Sequence, residues 1–349
     1  YAALHNIYTI RGSLSRDAVV WSKSVDQTRI FDAGIVIGGH HWPRWGRERV
    51  KLFFETQCDA LRYLHDQTVR LMKLGYTGHE IANLVCLPPE LAKQWHLRGY
   101  YGSVAQNVRG VINHYLGWYD GNPATLHPLP PRETARKLLE YMGGDTAVIE
   151  KARADYDAGE HRWVAQILDH LLWAVPNHTE ARELAVANYA QLGYLAENAT
   201  WRNAYLSAAT EVRDSKLKFD GPVRDLSDLT LSIPIPSLFE YLAVRIDGPK
   251  ATGLDIVIRW HIAGEEESYR TRLHNAVLIL ECEDEYSDVE VFTDRPTLAA
   301  FIQESLSTTS SQMKVTGNTA DFDRFQSVIV DFPFAFPIAS HAYKSGEIE

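Results

Sequence analysis

The chain has 349 residues, 45% of them hydrophobic and 23% charged, a composition that excludes wholesale disorder, a collagen-like fibre and a coiled-coil rod. Asp and Glu outnumber Lys and Arg by 45 to 35, a formal net charge of −10; such a chain repels phosphates, so a general nucleic-acid binder is excluded. No window approaches the roughly 18 consecutive apolar residues of a membrane span.

Length predicts two or three domains, because a single core rarely grows past about 250 residues. The start, Tyr1-Ala2-Ala3-Leu4-His5-Asn6, has no initiator Met, basic start or apolar signal core, and reads as a chain entered mid-domain. Ser15 to Ile30 is predicted to form a short helix with Val19, Val20 and Trp21 turned inward. The glycine-closed run Gly34-Ile35-Val36-Ile37-Gly38-Gly39 has the form of a buried strand in an α/β layer. One helix and one strand cannot cover both faces of a sheet, so residues 1–46 are expected to need partners.

From Glu48 the period becomes helical, with Val50, Phe53, Phe54, Leu61, Leu64, Val69 and Leu71 on one stripe, closed by Gly75. Thr77 and Glu80 have the spacing of a capping box. Pro88-Pro89 opens a further helix ending near Gly99, and the Pro-rich stretch from Gly121 to Pro131 is a rigid extended loop before helices resume at Arg132. Gly159 and Gly193 are 34 residues apart, with Pro176 between them, the period of a tetratricopeptide-like helical hairpin. Such a stack hides its face against a neighbour, which points to a dimer or an interdomain contact.

After Lys216 strands are expected at Leu231 to Ile235, Leu254 to Ile262, Arg270 to Leu273, Ala276 to Cys282 and Asp288 to Thr293. Helices follow from Arg295 to Ile302 and between Gly317 and Phe332. The fold class is therefore multidomain: an α/β end piece, an all-α domain and an α+β domain. Glu265-Glu266-Glu267 and the acidic run from Glu281 to Glu285 read as solvated hairpin edges.

Few residues suggest chemistry by themselves. Cys58, Cys86 and Cys282 are too scattered for a disulfide framework or a Cys-based zinc site, and they leave the compartment open. His40-His41 follows the apolar run at a strand end, where α/β folds carry functional loops. Consecutive residues on an extended loop point apart, so only one of the pair faces a metal, and one imidazole does not make a zinc site. Asn6, Arg11 and Arg16 recur at five-residue steps, and two guanidiniums with an amide can fork around a tetrahedral oxyanion; the plainer alternative is a surface Arg11 and an Arg16 paired with Asp17. Tyr100, Tyr101, Tyr115 and Tyr119 sit in aromatic-rich strings that could line a pocket, supply a phenol or simply pack domains.

Taken in order, HNxYTxRGxxxRD from His5, HHWPxWG from His40, HDQTxR from His65, RGYYGS from Arg98, YLGWYDGNPATLHPLPP from Tyr115 and the turn at Gly159-Glu160-His161-Arg162-Trp163 resemble the alkylsulfatases of the metallo-β-lactamase superfamily over essentially the whole chain. The resemblance implies three parts. Residues 1–46 are the C-terminal end of a metallo-β-lactamase αββα sandwich, 47–215 a helical dimerisation domain with tetratricopeptide-like hairpins, and 216–349 an α+β sterol-carrier-protein-like domain with an apolar groove. It implies a zinc-dependent hydrolysis of alkyl sulfate esters to alcohol and sulfate by a homodimer with two zinc ions per site. His40 then matches a zinc ligand, with His41 as the lesser choice; Asn6, Arg11 and Arg16 match the sulfate-holding positions. Tyr115, with Tyr101 as the alternative, matches a tyrosine that approaches the substrate.

The HxHxDH motif and two acidic ligands of the family are absent, so this chain is expected to be either the C-terminal portion of a cleaved or split enzyme, active only with an N-terminal catalytic segment on another polypeptide, which is the favoured reading, or an inactive remnant with that segment missing. The resemblance leans toward a bacterial periplasmic or secreted enzyme. The rival expectation is a non-catalytic, dimerising protein that binds apolar ligands.

Overall fold

The computed structural model describes residues 3–214, 232–281, 286–303, 313–332 and 336–341. The chain splits into two compact units, Tyr1–Leu217 with Pro337–Glu349, and Lys218–Phe336.

The first unit is helical. Its first helix, α1 (Ala18–Gln27), is capped by Asp17, whose carboxylate accepts the backbone N–H groups of Val19 and Val20. Ala18, Trp21 and Val25 face the core, one helical turn apart, while Val20 is 57% exposed; the inward triplet predicted from sequence therefore holds for Trp21 and fails for Val20. The apolar run after it is a two-residue ladder, β1 (Ile35–Val36) against β2 (Arg44–Trp45), and Ile37 beside it is 74% exposed. The buried strand expected there is an open hairpin among the described residues, because a two-stranded ribbon has nothing to cover its faces.

Helix α2 (Arg47–Lys73) buries Val50, Phe53, Leu61, Leu64 and Leu71, as its period requires, and gives way to Gly75 at φ +84°. Helix α3 (Gly78–Leu84) starts with the Thr77–Glu80 capping box. The single helix expected from Pro88 is instead a short α4 (Pro89–Ala92) and a 3-10 turn (Trp95–Leu97), a break that tucks His96 and Leu97 into the interior. Helix α5 (Val104–Leu116) packs on α2 and α3. The remaining helices, α6 (Pro131–Tyr141), α7 (Gly144–Asp157), α8 (His161–Ala174), α9 (Thr179–Leu195) and α10 (Ala199–Arg213), stack on their neighbours in chain order. Gly159 turns the chain between α7 and α8 at φ +83°. Gly193, its counterpart in the 34-residue period, lies inside α9, where a Cβ would come within 2.7 Å of Leu206. It is a close-packing glycine for the α9–α10 contact, and the second turn falls a few residues later, at 196–198, without it.

The second unit is a mixed five-stranded sheet, β3 (Asp255–Ile262), β4 (Tyr269–His274), β5 (Val277–Glu281), β6 (Val289–Thr293) and β7 (Lys314–Gly317), in the order β5-β4-β3-β6-β7. Strands β3 and β6 are parallel and the other pairs antiparallel. Ile256, Ile258, Trp260 and Ile262 alternate inward as predicted, into a core shared with Phe239, Phe301 and Phe325 from helices α11 (Ile235–Val244), α12 (Arg295–Gln303) and α13 (Thr319–Ser327). The strand expected at Leu231 to Ile235 is corrected: Ile235 opens α11 behind Pro234, where a proline stops a ladder but suits a helix start. Leu231 lies outside the described residues. Strand β7, only four residues long, escaped the sequence reading. Glu265 and Glu281 are paired with Arg295 and Arg270 rather than merely solvated; Cys282 and residues 283–285 lie outside the described residues.

Candidate functional site

The loop that carries Asn6, Arg11 and Arg16 is anchored from its apolar residues outward. Leu4 is buried against Leu64 and Val108, and Ile7 against Leu61 and Val111, so the segment lies across α2 and α5. Between these anchors the backbone is bonded to α5. Asn107, fully buried, accepts the Ile7 N–H through Oδ1 and donates through Nδ2 to the His5 carbonyl, both at 2.8 Å. Gln106 Nε2 donates to the Tyr8 carbonyl at 2.8 Å, and the Gly102 N–H donates to the Leu4 carbonyl at 2.8 Å.

Two glycines permit this approach. A Cβ on Gly102 would stand 2.6 Å from the His5 carbonyl oxygen, and one on Gly110 would stand 3.0 Å from Ile7 Cγ2 and the Tyr8 nitrogen. The returning limb closes with Arg16 N–H to the Ile7 carbonyl and Asn113 Nδ2 to Ser15 Oγ, each 2.8 Å. Asn107 and Gln106 were missed in the sequence; the available signal was a polar pair on the helix face that also carries Val108, Gly110 and Val111.

Within this frame Asn6 is 1% exposed, its Oδ1 has no hydrogen-bond partner among the described residues, and its carbonyl accepts Arg16 Nη1 at 2.6 Å. A half-turn of the amide exchanges Oδ1 for Nδ2, so this position can serve a donor or an anion. The Arg16 guanidinium lies over Trp21, 5.5 Å from the ring centroid. His5 stands edge-on between Trp21 and Tyr101, at 5.1 and 5.4 Å. Burial pulls its pKa down to about 4, with the charges of Arg16 and His40 acting in the same direction. His5 is therefore a neutral imidazole at pH 7, and since its Nδ1 accepts the Asn6 N–H at 2.7 Å, its proton is on Nε2.

The structure thus brings Asn6, Arg16 and Tyr101 together around His5, with His40 near enough for its charge to act on that ring. His40 is exposed, and the His41 ring is turned edge-on to Trp42 and Trp95. Arg11 is exposed and bonded to none of the described residues. Tyr115, at the end of α5, has its hydroxyl 2.7 Å from His65 Nε2. Among the described residues no three His, Cys, Asp or Glu side chains form a group able to hold a metal ion, so these residues alone do not fit a two-zinc centre. What they do offer is a set of donors, guanidinium, amide and imidazole N–H, suited to an oxyanion. Beside the loop opens a cleft of about 990 Å³, walled by Tyr8, Ile10, Leu195 and Trp201 and edged by Arg109 and Arg162. Its size and apolar wall are those of a small-molecule site.

Two family models match the chain: alkyl sulfatase dimerisation over residues 77–215 and alkyl sulfatase C-terminal over residues 224–340. The chain is 36% identical over 345 residues to an alkyl/aryl-sulfatase of Saccharomyces cerevisiae, covering 96% of this chain and 53% of that protein. The chain belongs to the alkylsulfatase family. Other alkylsulfatases resemble it as closely. A linear primary-alkylsulfatase of Pseudomonas is 34% identical over 97% of this chain and 51% of its own length. An (R)-specific secondary-alkylsulfatase of Pseudomonas is 38% identical over 85% of this chain and 45% of its own length. The solved structure of a stereoselective inverting sec-alkylsulfatase from Pseudomonas superposes with a TM-score of 0.88 at 34% identity, over 97% of this chain and 55% of that one. This alkylsulfatase-family chain spans about half the length of the curated relatives it matches.

Proposed function

We propose that the chain is the substrate-receiving portion of a zinc-dependent alkylsulfatase, which hydrolyses alkyl sulfate esters to alcohol and sulfate once a segment bearing further zinc ligands is joined to it. The observation that carries this reading is the clamped loop: the polar positions suited to a sulfate head lie on one segment held against α5, with the apolar cleft opening beside Tyr8 and Ile10. Asn6, Arg11, Arg16 and Tyr101 take the sulfate group, Tyr115 approaches the ester, and the cleft receives the alkyl tail, where each buried methylene contributes about 0.8 kcal/mol. His40 is the one position offered to the zinc pair; the other ligands come from outside the described residues.

In this reading residues 1–46 close a metallo-β-lactamase-like sandwich, 47–215 dimerise the enzyme, and 216–349 are its sterol-carrier-protein-like domain. Ile30, Phe31, Ile37 and Trp42 are 81%, 73%, 74% and 71% exposed, a concentration of apolar surface that calls for further protein over that end.

The test is inorganic sulfate release from dodecyl sulfate by the natural protein with zinc supplied. Arg11→Ala is expected to lower kcat/KM on the order of 10²–10³-fold, the usual cost of removing a preorganised oxyanion donor; unchanged turnover removes Arg11 from the site. The apolar wall of the cleft also favours a second reading, a dimerising protein that binds alkyl ligands without catalysis, and no sulfate release alongside tight binding of a fluorescent fatty-acid probe would select it.

A further inference from the structure

Helices α2 and α5 bring four side chains into one hydrogen-bonded line. Tyr115 Oη is 2.7 Å from His65 Nε2, His65 Nδ1 is 2.7 Å from Asp66 Oδ1, and Arg62 Nη2 donates to Asp66 Oδ2 at 3.1 Å. The imidazole is the sheltered member, with a side chain 13% exposed, whereas Tyr115 is 51% exposed. Because a carboxylate only accepts, His65 Nδ1 carries a proton; in the neutral imidazole Nε2 then presents its lone pair, and the Tyr115 hydroxyl donates to it. That leaves the outward lone pairs of the phenol oxygen available to a bound molecule.

Packing does not account for the arrangement. The α2–α5 contact is already made by Leu61, Leu64, Val108 and Val111, and a half-exposed hydrogen bond adds little to it. The titratable and charged groups around His65 are Arg62 and Asp66 on its own helix, His114 on α5, whose ring is edge-on to Tyr115 at 5.1 Å, and Asp17 at the start of α1, 3.8 Å from His114. Burial pushes the Asp66 carboxyl up, but the His65 bond and the Arg62 guanidinium outweigh it, so Asp66 stays ionised. Asp17 is likewise held below the usual range, first by the Val20 N–H, against a smaller effect of burial, then by Val19 and the two histidines.

We propose that Asp66, His65 and Tyr115 form a proton relay that serves the Tyr115 hydroxyl. It deepens the alkylsulfatase reading and rests on it. A hydroxyl approaching Tyr115, such as the attacking water, passes its proton to Oη. The original phenolic proton moves to His65 Nε2, and the imidazolium stands against the Asp66 carboxylate until the transfer reverses. One O–H bond breaks on the water and one forms on Tyr115, while one O–H breaks on Tyr115 and one N–H forms on His65. Tyr115 is the group that meets the substrate; His65 and Asp66 are positioning residues acting through it.

The experiment uses the natural full-length protein labelled with ¹³Cζ-tyrosine, the Tyr115 resonance being assigned by its loss in Tyr115→Phe. The resonance is expected to stand apart from the free-phenol position, because the hydroxyl donates to His65 Nε2, and to move toward that position in His65→Gln. A wild-type resonance at the free-phenol position, or one unchanged in His65→Gln, overturns the relay. In sulfate release, His65→Gln is expected to lower kcat about 10²–10³-fold with KM nearly unchanged. Asp66→Asn should also lower kcat with little change in KM, since it leaves the imidazolium without its carboxylate. A rise in KM at constant kcat overturns the relay. Absence of turnover in the wild type sinks the sulfatase reading alone, and the tyrosine resonance then decides the relay.

Discussion

Asn107 carries the attachment of the candidate loop, and its removal is the most direct test of how that loop is held. In Asn107→Ala the Ile7 N–H loses its partner in a fully buried position and the His5 carbonyl loses its partner in a partly buried one. Each orphaned backbone group costs about 1–3 kcal/mol, so the helical unit is expected to lose about 3–4 kcal/mol if the loop stays in place. With a urea slope near 2 kcal/mol per M, that moves the unfolding midpoint down by about 1.5–2 M. If the loop lifts away instead, the same cost appears as local opening, and the Ile7 amide exchanges with solvent at least ~30-fold faster while the global midpoint moves less. Urea denaturation followed by circular dichroism, with hydrogen exchange read at Ile7 and Gly102, separates the two cases. A midpoint change equivalent to less than about 0.5 kcal/mol, with unaltered exchange at both amides, would refute the clamp.

Two further outcomes follow from buried charge and proton balance. His5 and His96 both have pKa values drawn down to about 4, chiefly by burial. Between pH 6.5 and 4 the unfolded chain binds protons that the folded chain does not, so stability should be fully present above pH 6.5 and fall as the pH drops through that window. His96→Gln, which keeps a partner for Thr56 Oγ1, should flatten the slope between pH 6.5 and 5, where few carboxylates titrate; an unaltered slope speaks against burial as the cause. In the second unit, Arg245 is 2% exposed and donates to the carbonyls of Val330 and Ile302 and to Asp331. Arg245→Met is expected to destabilise that unit by about 3–5 kcal/mol, seen as a lower thermal midpoint; a midpoint within 2 °C of the wild type would show the guanidinium to be dispensable.

The sequence was most informative where structure depends on near neighbours. The stripe on α2, the Thr77–Glu80 capping box, the turn at Gly159 and the inward alternation of β3 all rest on residues within a few positions of one another. It misled where one residue type serves two physical roles. Gly193 has the spacing of a turn glycine and is a packing glycine against Leu206. Ile35 and Ile37 have the composition of a buried strand and stand exposed in a hairpin. Leu231 to Ile235 reads as strand from its branched residues, yet Pro234 makes its end a helix start.

The ordered motifs shared with the alkylsulfatases were readable in the bare chain, and so were the helical and sheet-bearing halves, because periodicity and capping are local. What holds the candidate site is not local. Asn107 and Gln106 clamp residues about 100 positions away, and the hydroxyl of Tyr115 meets an imidazole 50 positions earlier. The low pKa of His5 comes from burial beneath elements that no short window contains. Hydrogen bonds between distant segments, and the desolvation they bring with them, exist only once α2, α5 and the loop have packed together, which is why only the tertiary structure could decide them.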